Sequence, residues 1–126
     1  SDFVRSVLDM FAYGREVDDS IVLAAGLPSR WFEGQGVSIA DLRTPHGRLG
    51  YSLRRSDRQL ILEVPAGITA PAGGLVLPWP YAGKPGDAKV NGESVEWVDG
   101  ELRIHAVPAR VEIEVPSSVR RAERKN

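Results

Sequence analysis

The sequence predicts an all-β fold: an antiparallel, jelly-roll-like β-sandwich of about nine short strands, with one N-terminal helix. Three observations carry that expectation. Strand-like segments follow one another at intervals of roughly ten residues, the spacing of sandwiches and barrels. Asn91-Gly92 and Asp99-Gly100 stand between such segments, and a two-residue type I′ turn needs φ > 0 at both central positions, which these residue pairs favour. After the first helix no second one is available to make the right-handed crossovers of a parallel sheet, so an α/β fold is disfavoured.

Residues 2–13 predict the helix. Phe3, Val7, Met10 and Phe11 recur at spacings of three and four with Val4 and Leu8 beside them, Ser1 or Asp2 can cap it, and Gly14 is placed to end it. One helix before an otherwise β chain cannot bury its apolar stripe alone, so it lies on the sandwich or on a neighbouring domain. Ile21 to Ala25 is a short apolar run stopped by Gly26 and Pro28, as in a buried strand. Ser29 to Gly36 reads as an irregular turn carrying Trp31 and Phe32. Val37 to Ile39 is a short alternating strand, and Thr44-Pro45-His46-Gly47 is a turn.

Arg48 to Arg55 is the clearest strand. Leu49, Tyr51 and Leu53 point to one face, and Arg48, Gly50, Ser52 and Arg54 to the other. After a turn at residues 56–58, Leu60, Leu62 and Val64 supply a second inward set, while Ile61 implies partial cover of the other face. Pro65 to Gly73 is a loop. The strand Leu75–Leu77 leads into residues 78–86, where three prolines restrict φ and stiffen the loop. Ala88–Val90, Ser94–Trp97 and Leu102–Ile104 follow as short strands. The last strand sets Val111, Ile113 and Val115 inward, and Pro116 ends it.

The chain has 126 residues, enough for one core. Its expected organisation is a helix or linker over 1–14, a β-sandwich over 15–116 and a basic tail over 117–126. That tail holds four cations against one carboxylate, a net of +3, which leaves −4 for the rest of a chain whose total is −1. With almost no apolar content it is expected to be mobile. The small net charge gives no electrostatic case for nucleic acid or an anionic membrane, no apolar window is long enough to span a bilayer, and no signal-peptide pattern is present. The start at Ser1-Asp2-Phe3, without an initiator Met, reads as an excised piece of a longer protein. Zero Cys excludes disulfides and thiolate chemistry but does not fix the compartment.

No catalytic set stands out. His46 and His105 are 59 positions apart without a partner motif, so no metal is expected; a zinc site needs three or four placed ligands. Glu16, Asp18 and Asp19 lack the alternating spacing that wraps Ca²⁺ and read as a solvated turn. Asp41, Glu63, Glu93, Glu96 and Glu101 are candidate carboxylates for glycoside hydrolysis, but most fall at outward positions or turns, and sequence cannot pair them. No Gly-x-Ser-x-Gly elbow and no phosphate-binding loop appears, and no cofactor is expected. The aromatic residues are the better lead. Trp31, Trp79 and Tyr81 offer flat faces for sugar rings or for a neighbouring domain, and the Pro-stiffened loop would pre-organise the last two. Trp97, two residues after Val95, reads as core.

Three stretches carry a family likeness: Val22-Leu23-Ala24-Ala25-Gly26-Leu27-Pro28-Ser29-Arg30-Trp31-Phe32; Gly36 to Leu53 with its Leu42-Arg43-Thr44-Pro45-His46-Gly47-Arg48-Leu49 run; and Leu75 to Pro80 together with Val90-Asn91-Gly92. They resemble a pattern found in bacterial glycoside hydrolases of the six-hairpin, (α/α)6-barrel type, over residues 21–115. In such proteins a C-terminal β-sandwich packs on the helical catalytic barrel, and some parents also carry a discoidin-like (coagulation factor 5/8 type C) domain. The resemblance implies a non-catalytic accessory domain whose partner is the catalytic domain of its own chain. It implies that residues 2–13 belong to the last barrel helix or its linker, and that the parent is secreted or periplasmic. It marks no catalytic position here, since the family's carboxylates reside in the barrel. The alternative is an autonomous carbohydrate-binding module using the aromatic residues of the 78–86 loop.

Overall fold

A computed structural model describes residues 11–119 apart from Gly26, Asp57 and Ser118. Among the described residues ten strands form two sheets. They are β1 (Ala12–Arg15), β2 (Ser20–Leu23), β3 (Val37–Thr44), β4 (Gly47–Ser56), β5 (Gln59–Val64), β6 (Leu75–Pro78), β7 (Ala88–Val90), β8 (Glu93–Val95), β9 (Glu101–Ile104) and β10 (Ala109–Glu114), with a 3₁₀ turn over Ser29–Phe32. One sheet runs β1-β2-β6-β9 and the other β3-β4-β5-β10-β7-β8. All named pairings are antiparallel except β2 with β6, where Ile21 faces Leu75 and Val22 faces Val76.

The all-β expectation holds, and the period-2 reading of side-chain direction holds with it. Leu49, Tyr51 and Leu53 of β4, Leu60, Leu62 and Val64 of β5, and Val111 and Ile113 of β10 are buried. From the other sheet Leu23, Leu75, Leu77, Leu102 and Ile104 join them in one hydrophobic core. Each such side chain contributes roughly 1.5–3 kcal/mol when fully buried, so this shared core is what joins the sheets. Val22 and Val76 are also buried, at 1% and 0%, although they alternate with the core-facing residues. The two central strands β2 and β6 are thus apolar on both faces, as parallel neighbours tend to be.

Both Gly-containing turns form as expected. Asn91 and Gly92 sit at φ 51° and 86°, and Asp99 and Gly100 at 53° and 75°. The first closes the β7–β8 hairpin. The second brings Val98 and Glu101 together in an isolated bridge.

The N-terminal helix expected over 2–13 is corrected at its end. Ala12 and Tyr13 belong to strand β1, paired with Leu23 and Val22, and Gly14 continues that strand opposite Ile21. Pairing against the buried strand β2 outweighs the helical spacing of the preceding apolar residues. Residues 2–10 lie outside the described residues, as do 120–126 of the basic tail. Val119, within the segment expected to be mobile, is buried and packs on the core.

Candidate functional site

The stiff loop that follows β6 is held down by its aromatic residues. Trp79 meets Tyr81 edge-on, with ring centroids 5.1 Å apart and planes at 67°. It meets Trp97 in the same manner at 5.6 Å and 76°. Such edge-to-face pairs are worth about 0.5–1.5 kcal/mol beyond the area they bury. The Trp97 Nε1–H donates to the Gly86 carbonyl at 2.9 Å, tying the far end of the loop to the strand-to-turn segment after β8. Gly86 lies so close to the backbone of Glu114 that a Cβ there would collide with it, which seats the loop against β10. The Arg55 guanidinium stands 5.3 Å over the Tyr81 ring and donates to its hydroxyl at 3.3 Å. All three rings are half-buried and pack on the core. The Trp79 Nε1–H is buried and has no protein partner.

The structure therefore brings Trp79 and Tyr81 together and adds Trp97 and Arg55 to them. Trp31 does not join. It sits on the 3₁₀ turn, 42% exposed, with no ring contact to the others, while its neighbour Phe32 is fully buried and fills the core. Sequence placed Trp97 in the core. It is instead half-buried and serves the loop through its indole nitrogen.

A second cluster lies on the outer face of the four-stranded sheet. Arg15 of β1 donates to both Asp18 oxygens at 3.2 and 2.8 Å and to both Glu101 oxygens at 2.7 and 2.9 Å. Arg103 of β9 donates to Asp18 at 2.6 Å and to the Gly73 carbonyl at 2.7 Å, and the Ser20 hydroxyl donates to Asp18 at 2.6 Å. Asp18 is thus the hub of an ion-pair network, where sequence suggested a solvated turn. The Arg15 hydrogen bonds, followed by those from Ser20 and Arg103, hold its carboxyl well below the usual carboxylate range. Arg15 also lowers Glu101. Glu101 and Asp18 in turn hold the Arg15 guanidinium above its ordinary range. Every group in the network is satisfied by another, which is chemistry of position rather than of reaction.

An open cleft of about 790 Å³ crosses the outer face of the six-stranded sheet. Asp41 and Glu63, two of the five carboxylates considered from sequence, both line it. Asp41 pairs with Arg48 at 3.9 Å and Glu63 with Arg110 at 3.1 Å. Glu101 is committed to the network described above, and Glu93 and Glu96 are exposed. His46 is half-buried at the β3–β4 turn and His105 is exposed just after β9. Among the described residues no three His, Cys, Asp or Glu side chains come together as a metal site, and no helix is long and apolar enough to cross a membrane. The chain matches no family model, no curated protein and no solved structure.

Proposed function

We propose that this chain is a non-catalytic accessory domain, a β-sandwich of the jelly-roll kind, that packs on and steadies the catalytic domain of a larger carbohydrate-active bacterial protein. The observation that supports it most is how the aromatic loop is used. Trp79 meets both Tyr81 and Trp97 edge-on, and Arg55 stands over the Tyr81 ring. Aromatic area is spent on holding a stiff loop against the sheets. Arg15, Asp18 and Glu101 likewise brace the four-stranded sheet through their mutual ion pairs. Exposed apolar side chains remain at Tyr13, Val17, Trp31 and Val98 as material for contact with a neighbouring domain.

We infer the identity of that neighbour from the sequence resemblance of residues 21–115 to six-hairpin glycoside hydrolases alone. Reading the coding sequence upstream of Ser1 tests this. The proposal expects an in-frame, helix-rich segment with a pair of carboxylates suited to glycoside hydrolysis. A reading frame that opens at Ser1 sinks it.

A second reading, an autonomous carbohydrate-binding module, draws on a different feature. The loop that sequence pointed to has its rings engaged, but the outer-face cleft is open.

A further inference from the structure

We propose that the cleft on the outer face of the six-stranded sheet binds a neutral oligosaccharide chain. The inference does not depend on which parent carries the domain.

The cleft is built by register. Ser52 faces Glu63 across β4 and β5, and Glu63 faces Arg110 across β5 and β10, so three outward polar side chains stand in one row. Asn91, at the end of β7, continues it. Its Oδ1 accepts the Arg110 backbone N–H at 2.8 Å, and its Nδ2 donates to the Pro108 carbonyl at 3.2 Å. At the other end β3 carries a bulge. Ile39 faces Tyr51 and Leu42 faces Leu49, so Ala40 and Asp41 both oppose Gly50. The bulge, with Asp41 at φ 57°, turns that carboxylate out beside Arg48. The cleft thus runs from β3 to β7, about 19 Å across the strands at the usual ~4.8 Å spacing, with Asp41 stepped to one side of the Ser52 row, opposite Gly50. That is the length of a short chain of rings rather than of one small molecule.

The floor has little side chain to fill it. Gly50 lies on β4 opposite the bulge, where a Cβ would sit 3.3 Å from the Ile39 carbonyl oxygen and 3.8 Å from Pro65 Cγ. Ala40, Ala66, Gly67 and Pro108 also line it, with Ile39, Val64 and Pro65 beside them. A floor of small aliphatic groups under a polar rim fits the C–H faces and hydroxyl edges of a sugar chain.

Charge sets the class. The rim holds two guanidiniums and two carboxylates, with the Ser52 hydroxyl among them and the Asn91 amide at the β7 end. An anionic polymer would gain at each Arg and lose at each carboxylate. A chain of hydroxyls donates to Asp41 and Glu63 and accepts from Arg48 and Arg110, with no net charge to balance. Both ion pairs are solvent-exposed, at 65% and 79% for Arg48 and Asp41 and 49% and 46% for Arg110 and Glu63. Exposed pairs are weakly held, so their donors and acceptors are free to turn to a ligand at little cost.

The test is amide chemical-shift mapping of the 126-residue chain with neutral gluco-, xylo- and manno-oligosaccharides. Oligogalacturonate and a proline-rich peptide serve as the other occupants. The proposal expects saturable shifts at Ser52, Glu63, Asn91 and Arg110 with at least one neutral oligosaccharide, at a Kd of about 1 mM or tighter. Glu63→Gln and Arg110→Ala should each weaken that binding about tenfold, equivalent to ~1.4 kcal/mol, with the rest of the spectrum unchanged. Trp79→Phe should leave it intact. No saturable shift with any neutral oligosaccharide overturns the proposal. Shifts confined to Trp31 or the 78–86 loop, or preference for the acidic oligomer or the peptide, also overturn it.

Discussion

Arg15 and Glu101 meet at 2.7 Å although they sit on the two outermost strands of the four-stranded sheet, with β2 and β6 between them. Asp18 extends the contact to Arg103, so the two edges are strapped across the outer face of the sheet.

This strap makes stability depend on acid. Asp18 and Glu101 are both lowered from 3.8 and 4.5, principally by Arg15. Their contribution is fully present above those ordinary values and is lost as pH falls through the lower values of the folded state, because the unfolded chain then binds more protons. Urea midpoints measured at neutral pH and in steps below about pH 4.5 should show Glu101→Gln less stable than the parent at neutrality, with the gap closing in acid. A gap that persists unchanged at the lowest pH would contradict the network's role.

Gly92 and Gly100 both occupy the left-handed region, and a Cβ at either would meet nothing within 4 Å. Replacing either by Ala therefore isolates the backbone term. Gly92→Ala and Gly100→Ala should each lower stability by about 1–2 kcal/mol, read by chemical denaturation. No loss would mean that the turn types are not those described.

The loop latch is tested at Trp97. Trp97→Phe keeps a ring against Trp79 but removes the hydrogen bond to Gly86. It should cost about 1 kcal/mol, and limited proteolysis should cut faster within residues 79–87. Cleavage first at the Pro65–Gly73 loop, at an unchanged rate, would argue against the latch.

In the core, Leu62→Ala removes a fully buried side chain of β5, the strand between β4 and β10. A loss of about 2–5 kcal/mol is expected. Tyr51→Phe is milder, about 1 kcal/mol. The Tyr51 hydroxyl donates to the Phe11 carbonyl at 2.7 Å, but that carbonyl also accepts the Ala24 N–H at 2.8 Å and keeps a partner.

The β4, β5 and β10 strands were legible in sequence because one buried face and one wet face impose a period of two on the residues themselves. The two I′ turns were legible because few residue pairs tolerate φ > 0 twice in succession. Strand β1 was not. Tyr13-Gly14-Arg15 has no strand pattern of its own, and it pairs because β2 offers an apolar edge. The Asp18 hub was equally hidden, since the β6–β9 register is what brings Arg103 to Asp18 and Glu101 to Arg15. Trp79 and Tyr81 were found by the company of prolines, whereas the cleft depends on a bulge and on which strands are neighbours. Neither is written in local sequence.

The accessory role is tested most directly by comparing the parent protein with a version ending just before strand β1 at Ala12, measuring the temperature at which glycan turnover is lost and the turnover of the folded enzyme below it. The account predicts earlier thermal inactivation of the shortened protein, with kcat/KM preserved at low temperature. An unchanged inactivation temperature, or turnover abolished while the shortened protein remains folded, would contradict it.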